Sequence, residues 1–535
     1  MCAHDDSNNA RATKKHSSFG DVCLLGLGVT GRAVADFFIE NPAWLSSLTI
    51  YSGEPHRELR AYLRSLPESV IVREADELVS GSFDTAVVSP GIPPHSALYL
   101  SAAGASQEII SEPELAWRIS PERWVAVTGT NGKTTVTELI TALLQTAGKT
   151  AWAAGNIGTP CIEIVGSRAP EDWIVAELSS YQLHSARIFA PDCAVLLNIT
   201  PDHLSWHGSY ESYDADKQRI VANLAEGNPA IIDVSLPNTR ALAESLALEG
   251  RRVIRISAEY PLCDEAVEHT RRDLCEQSVE SAGSDSYGKS AAQSAENTFE
   301  RGYVNARTGA LTLELASGRY ELLPGRELRI KGQHNLSNAL AAAAAAAAAV
   351  DARTDELNAA LASFAPLPHR FEPCGEVAGV SFVNDSKATN TDAAIKALSA
   401  FADDNQEGRV VAMFGGLDKG TDLAALVATC VQTCKYAVCY GEAGPRFYHA
   451  MAARLPAVHV AGFSEAFVRA FALSEPGDTV LLSPACASFD VFDSFEARGR
   501  RFKEQVALLR KREEPEALQS SLEWEVLGEE RGVRS

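Results

Sequence analysis

The sequence predicts an α/β protein of three domains built around mostly parallel sheets. Three observations carry that expectation. Short apolar runs alternate with helical patterns along most of the 535 residues, as βαβ units require. Two of those runs end in glycine turns that open helices, at 26–31 and at 129–132. The prolines of Ala365-Pro-Leu-Pro-His369 stop helices and stiffen extended chain, which marks a linker. Length alone allows roughly three or four domains of ~150 residues.

In chain order, residues 1–20 form a polar extension, and 1–19 lack the apolar centre of a secretory signal. The first domain spans 21–120. Its opening strand, 21–27, leads into Gly26-Leu-Gly-Val-Thr-Gly31 and a helix over 32–40. A G-x-G-x-x-G between strand and helix is the phosphate-binding turn of a Rossmann-like domain. The second strand, 48–51, runs into Ser52-Gly53 with no acidic residue for a ribose, so a phosphate-bearing ligand other than NAD suits this turn. Strand 85–89 ends in Ser89-Pro-Gly-Ile-Pro93. Ligands gather at such carboxyl strand ends, although a plain turn fits the same pattern.

The central domain spans 121–367. It opens with Val125-Ala-Val-Thr-Gly-Thr-Asn-Gly-Lys-Thr-Thr135: a strand, a glycine loop and a helix start. Backbone N–H groups of such a loop converge on phosphate oxygens, the helix N-terminus favours negative charge, Lys133 neutralises it and Thr134 can reach a magnesium ion. The G-x-x-G-K-T spacing is shorter than the general phosphate-loop pattern, yet the strand, loop and helix agree with it. Strands at 173–177 and 194–199 extend the sheet. Residues 262–298 are polar, acidic and serine-rich, and form a surface insertion in this reading. The sheet pattern resumes near Tyr303, and helices follow at 339–350 and 351–362. The third domain spans 368–535, with strands at 380–384, 410–415, 437–440, 458–461 and 479–483. The charged end, 513–535, is peripheral.

Composition excludes several classes. A net charge of −22 argues against a general nucleic-acid or anionic-membrane surface. Eleven cysteines without C-x-x-C pairs indicate neither a zinc site nor a disulfide scaffold. No stretch reaches the ~20 apolar residues of a membrane span. The alanine-rich 339–350 fits a close-packed soluble helix. A cytoplasmic protein is expected.

Further polar clusters follow strands. Glu177 closes one, and a carboxylate beside a phosphate loop suits a hard cation. Asn198-Ile-Thr-Pro-Asp-His203 follows another. Taken singly, His203 suits a core position better than a metal, and Lys217 suits a solvated helix face. Only beside Lys133 and Thr134 do they suggest one site. Asn384-Asp-Ser-Lys-Ala-Thr-Asn-Thr391 could hold a phosphate or a small charged substrate. Ser483-Pro-Ala-Cys-Ala-Ser488 can present N–H groups to an anion, while Cys486, among apolar neighbours, is structural.

These motifs together resemble the Mur ligases and their folate-polyglutamate relatives. Thr128-Gly-Thr-Asn-Gly-Lys-Thr-Thr135 is similar to that family's ATP loop. Gly155-Asn-Ile-Gly158, Glu177-Leu-Ser-Ser-Tyr-Gln182, Asp202-His203, Gly332-Gln-His-Asn-Leu-Ser-Asn-Ala339 and Leu367-Pro-His-Arg-Phe-Glu372 recur in the family's order. The 384–390 and 483–490 motifs look like its D-glutamate-adding branch. The resemblance runs from about residue 21 to 502.

It implies an ATP-dependent ligase that joins D-glutamate to UDP-N-acetylmuramoyl-L-alanine through an acyl phosphate, with two Mg2+ ions. By the same resemblance, ATP would meet Gly129, Thr130, Asn131, Gly132, Lys133, Thr134 and Thr135. Asn335 and Asn338 would lie near adenine, with Arg370 and Asp385 from the third domain. The metals would be held by Thr134, Glu177, His203 and Lys217, the last carbamylated. The catalytic set would be Lys133, Glu177, His203 and Lys217. The UDP substrate would meet Gly28, Val29, Thr30, Ser89, Pro90, Gly91 and Asn156. D-glutamate would meet Lys387, Thr389, Ser488, Phe489 and Phe495. A monomer with no nucleic-acid partner and no membrane insertion is expected. Where the branch often carries an acidic residue near uracil, this chain has Tyr51-Ser52, and its 262–298 insertion has no counterpart. A sister ligase with another amino acid, an NAD-dependent oxidoreductase and a silent nucleotide-binding protein are the competing readings.

Overall fold

The computed structural model describes residues 18–53, 57–74, 77–258, 300–403, 410–417 and 420–511. The expected insertion at 262–298, most of the 1–20 extension and the 513–535 tail lie outside the described residues. The chain divides into two compact units. One takes in the described residues up to 232 with 236–254 and 345–352. The other holds 233–235, the described part of 255–344 and the described residues from 353 onward. The fold is mixed α/β, and its three sheets are mostly parallel.

The first sheet lies in the first unit and has the order β3-β2-β1-β4-β5. Its strands are β1 (Asp21–Leu25), β2 (Ser47–Ser52), β3 (Val70–Glu74), β4 (Phe83–Val88) and β5 (Ser106–Ser111). Every pairing is parallel. Chain order reverses between β1 and β4, so the crevice beyond their carboxyl ends is the switch point where ligands settle in such sheets. Helix α1 (Val29–Glu40) starts there. Helices α2 (Arg57–Ser65) and α3 (Ala97–Ala105) follow, and α4 (Glu112–Ile119) leads to the next sheet.

That second sheet runs β14-β13-β12-β11-β10-β9-β6-β8-β7. Its core strands β6 (Trp124–Thr128), β7 (Ala151–Gly155), β8 (Trp173–Glu177), β9 (Cys193–Leu196) and β10 (Ala230–Asp233) pair in parallel. β6, β8 and β9 are buried along their whole length, as a sheet covered on both faces demands. Helices α5 (Lys133–Thr146), α6 (Cys161–Val165), α7 (Ser180–His184), α8 (Leu204–His207), α9 (Tyr210–Ala222) and α10 (Pro237–Leu248) connect them. Strands β11 (Val253–Ser257) and β12 (Arg301–Val304) are parallel, whereas β13 (Ala310–Leu315) and β14 (Gly318–Pro324) continue antiparallel. The alanine-rich segment is one helix, α11 (Gln333–Val350), longer than the sequence suggested, with residues 339–347 buried. Helix α12 (Thr354–Ser363) follows.

The third sheet belongs to the second unit and runs β15-β16-β20-β17-β18-β19. Only β15 (Glu372–Val377) is antiparallel to its neighbour, β16 (Val380–Asn384). The others are β17 (Val410–Gly415), β18 (Cys434–Tyr440), β19 (Ala457–His459) and β20 (Thr479–Leu482). On β17 the side chains alternate: Val410, Ala412 and Phe414 join one apolar cluster, Val411 and Met413 the other. This is the period of two that a strand buried on both faces shows. Among the described residues, five helices follow α12 in this unit: α13 (Thr391–Asp403), α14 (Ala424–Thr433), α15 (Gly444–Ala452), α16 (Phe463–Ala472) and α17 (Phe495–Lys511).

Candidate active site

The phosphate loop occupies the gap between β6 and α5. Gly129 (φ 156°) and Gly132 (φ 87°) both adopt backbone angles that side chains disfavour. A Cβ on Gly129 would stand 2.8 Å from that of Leu197. Gly132 offers no side chain to cap the 14-residue α5, so the first N–H groups of the helix face the loop without a side-chain cap. The loop is held from outside. Asn198 accepts from Asn131 N at 3.0 Å and donates back to Asn131 O at 3.1 Å. The Thr130 hydroxyl lies 2.8 Å from that of Tyr213. Lys133 folds over the loop, its Nζ donating to Thr130 O at 2.9 Å. Thr135 is buried one step into the helix.

Glu177, at the carboxyl end of β8, is 2% exposed. The Thr134 hydroxyl donates to its Oε2 at 2.7 Å, and Asn156 Nδ2 donates to its Oε1 at 2.8 Å. Three residues far apart in sequence thus meet on one carboxylate.

Lys217 is not a solvated helix lysine. It is 2% exposed, and its Nζ donates to Gly129 O at 2.7 Å and lies 4.8 Å from the centre of the Tyr213 ring. Burial, and then repulsion from Lys133, hold its pKa well below the usual lysine range, against the attraction of Asp202 and Glu177. Helix α9 positions it, and Asp216 anchors that helix. Asp216 accepts from His184 Nδ1 (2.9 Å) and His207 Nδ1 (3.0 Å). Burial would raise the Asp216 pKa, but those two hydrogen bonds bring it down to about 2.

His203 begins α8 with φ 54° and a side chain 40% exposed. Its Nδ1 is 2.8 Å from the Tyr181 hydroxyl, and its Nε2 is 3.7 Å from Asp202 Oδ2. Burial, with Asp202 nearby, pushes the Tyr181 hydroxyl up to about 12, so it keeps its proton. Among the described residues no three His, Cys, Asp or Glu side chains gather to hold a metal. A magnesium ion bound with a nucleotide needs fewer, because waters and phosphate oxygens fill most of its octahedron. Thr134 and Glu177 supply hard oxygen donors of that kind.

The turns at 26–31 and 89–91 form a separate group in the first unit. Ser89 Oγ donates to Gly26 O at 3.1 Å and Ser89 N to Leu25 O at 3.0 Å. Gly28 and Val29 are exposed, Thr30 half-buried, and Pro90 and Gly91 continue the facing turn. A Cβ on Gly31 would lie 1.9 Å from Gly26 O, so the turn closes only with glycine there.

The remaining candidates lie in the second unit. Asn335 and Asn338 are buried one helical turn apart on α11, the second donating to the first at 2.9 Å. Arg370 is half-buried in the chain before β15. Asp385, just past β16, accepts from Ser483 Oγ (3.0 Å) and Phe371 N (3.2 Å). Burial raises its pKa to about 7 against Ser483, Phe371, Arg370 and Arg498. Lys387 Nζ stands 3.8 Å from the Phe495 ring centre. Thr389 N donates to Lys387 O at 2.8 Å. Ser488 is buried, whereas Phe489 is 70% exposed. Cys486 is buried, in keeping with a structural thiol.

Sequence reasoning passed over Arg498 and Tyr181. The Arg498 guanidinium, 1% exposed, donates to Ser386 O (2.9 Å), Cys486 O (3.1 Å) and Ala487 O (3.3 Å). It therefore ties the loop after β16 to the loop after β20, and these two loops carry Lys387, Ser488 and Phe489.

Residues 127–346 match the Mur ligase middle domain, and 369–486 match the Mur ligase glutamate ligase domain. The chain is 34% identical over 494 residues to the UDP-N-acetylmuramoylalanine–D-glutamate ligase of Alkaliphilus metalliredigens, covering 92% of this chain and 98% of that one. It is 36% identical over 502 residues to the enzyme of the same name from Pelotomaculum thermopropionicum, with 92% and 98% covered. The UDP-N-acetylmuramate-alanine ligase of Thermotoga maritima shares the fold: TM-score 0.52, 15% identity, 91% of this chain and 99% of that chain covered.

Proposed function

The chain belongs to the Mur ligase family, and from that premise we infer that it is an ATP-dependent amide ligase of peptidoglycan precursor synthesis. It joins D-glutamate to UDP-N-acetylmuramoyl-L-alanine and releases ADP and phosphate. The observation that carries the chemistry is the arrangement around the phosphate loop. Lys133 lies over it, Thr134 and Asn156 converge on Glu177, and the buried Lys217 amine is bonded to its Gly129 carbonyl.

A carboxylate is a poor electrophile because its negative charge is delocalised onto the carbonyl and it would have to expel oxide. One oxygen of the alanyl carboxylate attacks the γ-phosphorus of ATP, and ADP leaves. The D-glutamate amine then adds to the acyl phosphate, giving a tetrahedral intermediate that expels phosphate and loses a proton to form the amide. Lys133 swings from Thr130 O to the β/γ-phosphates, and the loop residues Gly129, Thr130, Asn131, Gly132 and Thr135 surround them. Two magnesium ions, when bound, would offset charge on the transferring phosphoryl group. Thr134 and Glu177 would hold one, and His203 the other.

Lys217 supplies a carbamate in this reading. A buried amine of lowered basicity keeps its lone pair available to attack carbon dioxide: an N–C bond forms and one proton leaves. The remaining N–H would still donate to Gly129 O, while the new carboxylate would add hard oxygens where the charge of Glu177 is felt. The turns at Gly28, Val29, Thr30, Ser89, Pro90 and Gly91, with Asn156, take the UDP substrate. Asn335, Asn338, Arg370 and Asp385 serve the nucleotide. Lys387, Thr389, Ser488, Phe489 and Phe495 take D-glutamate. The segments 21–120, 121–367 and 368–535 serve the UDP substrate, ATP and D-glutamate respectively. The protein works as a cytoplasmic monomer. Among the described residues, no helix is long and apolar enough to cross a membrane.

Incubation with ATP, magnesium, UDP-N-acetylmuramoyl-L-alanine and single amino acids, followed by mass spectrometry, tests the assignment. A product heavier by one glutamyl residue, formed from the D-isomer only, is expected. A product with L-alanine or a diamino acid in its place would move the chain to a sister activity.

A further inference from the structure

We propose that Tyr181 is a positioning residue for His203, its hydroxyl fixing the imidazole so that Nε2 stays available to a cation. The inference rests on reading His203 as a metal ligand. The place of His203 makes the orientation of its ring matter. It sits on a turn in the left-handed region at φ 54°, opens a helix of four residues, and has a side chain 40% exposed. Asp202 lies 3.7 Å from Nε2 and the Tyr213 ring 6.3 Å from the imidazole, centre to centre, while the Tyr181 hydroxyl meets the other ring nitrogen.

Tyr181 is built to be rigid. It lies on α7, whose start is locked by a capping box between Ser179 and Gln182. Its ring packs 4.4 Å from Trp206 and stacks 5.5 Å from His207, centre to centre. His207 is itself pinned by Asp216 at 3.0 Å and Ser180 at 2.9 Å. The Tyr181 hydroxyl therefore stands on a fixed post, 2.8 Å from His203 Nδ1. Because Tyr181 follows Glu177 by four residues, the post also ties the segment carrying that carboxylate to the turn carrying the histidine.

The chemistry of a phenol suits the task. A hydroxyl both donates and accepts. When Nε2 carries the proton, 3.7 Å from Asp202, the hydroxyl donates to Nδ1. When Nε2 turns its lone pair to a cation, Nδ1 carries the proton and the hydroxyl accepts it. The ring keeps one orientation in both states. Phenylalanine would fill the same space and do neither. Histidine ligands generally depend on such a partner at the other nitrogen.

The test compares full-length wild type, Tyr181→Phe and His203→Ala. Each is titrated with Mn2+ in the presence of a non-hydrolysable ATP analogue, and bound metal is counted by electron paramagnetic resonance. In Tyr181→Phe we expect one of the two Mn2+ ions to bind about tenfold to a hundredfold more weakly. The thermal midpoint stays unchanged, and turnover recovers as Mg2+ is raised. His203→Ala should lose that ion. Wild-type Mn2+ affinity in Tyr181→Phe, with one ion lost in His203→Ala, overturns the positioning role alone. Two normally bound ions in His203→Ala overturn the metal reading of His203, and this proposal with it.

Discussion

Replacing Arg498 by methionine keeps an unbranched, largely apolar stem and removes the donors. In the native structure the guanidinium serves Ser386 Oγ at 3.0 Å and the carbonyls of Ser386, Cys486 and Ala487 at 2.9, 3.1 and 3.3 Å. Each such bond contributes about 1 kcal/mol net, and each buried carbonyl left without a partner costs roughly 1–3 kcal/mol. Relief from burying a cation offsets part of that. The balance is a loss of about 3–5 kcal/mol, confined to the loops after β16 and β20 and the strands behind them. Amide hydrogen exchange reads this directly, since protection reports the free energy of local opening. Protection along β16 and β20 should fall about a hundredfold to several thousandfold. The KM for D-glutamate should rise at least tenfold, because Lys387 and Ser488 lose their fixed spacing. Arg498→Lys keeps the charge with three donors and should fall between. Unchanged protection together with an unchanged D-glutamate KM in Arg498→Met would refute the clamp.

Four further outcomes are expected. Lys133→Ala should nearly abolish phosphate release driven by D-glutamate; near-normal turnover would remove its assigned role. Lys217→Ala should lose activity and regain part of it with added short carboxylic acids, which replace the carbamate oxygens; activity unmoved by any of them would count against carbamylation. Gly31→Ala should raise the KM for the UDP substrate and cost about 1–3 kcal/mol of stability, because the new Cβ would fall 1.9 Å from Gly26 O; unfolding midpoints and a KM equal to wild type would contradict that. Burial raises the Glu112 pKa from 4.5 to about 7, so the folded chain holds a proton there that the unfolded chain has released. Stability should therefore fall as pH rises from about 4.5 to 7, by up to about 3 kcal/mol from this group. Glu112→Gln should flatten that part of the urea-midpoint profile, and a variant curve parallel to wild type would sink the assignment.

Much of the fold was legible because its signals are local. The runs at 173–177, 380–384 and 410–415 are the strands the sequence marked. The run at 85–89 became Phe83–Val88 and the one at 194–199 became Cys193–Leu196, shifts of a few residues where a loop begins. Strands β3, β5, β7, β10, β11 and β15 went unmarked. Of these, β3 and β7 lie at sheet edges: β3 is largely exposed and ends in Arg73-Glu74, and β7 is alanine-rich, so neither stands out as a covered strand. The site divided in the same way. The phosphate loop, Glu177 and the polar clusters after β16 and β20 announced themselves by following strands.

Read alone, the chain determined its class, its nucleotide loop and its family, since each depends on residue types at short, fixed spacings. Tertiary structure alone decided that Lys217 is buried rather than solvated. Its partner carbonyl, on Gly129, is 88 residues away. The same holds for the hydroxyl that meets His203 from 22 residues upstream, and for the guanidinium that reaches Ser386 across 112 residues. The physical reason is common to all three. Burial and hydrogen-bond partnership are set by which strand ends the sheet order places side by side, and spacing along the chain carries no record of that order.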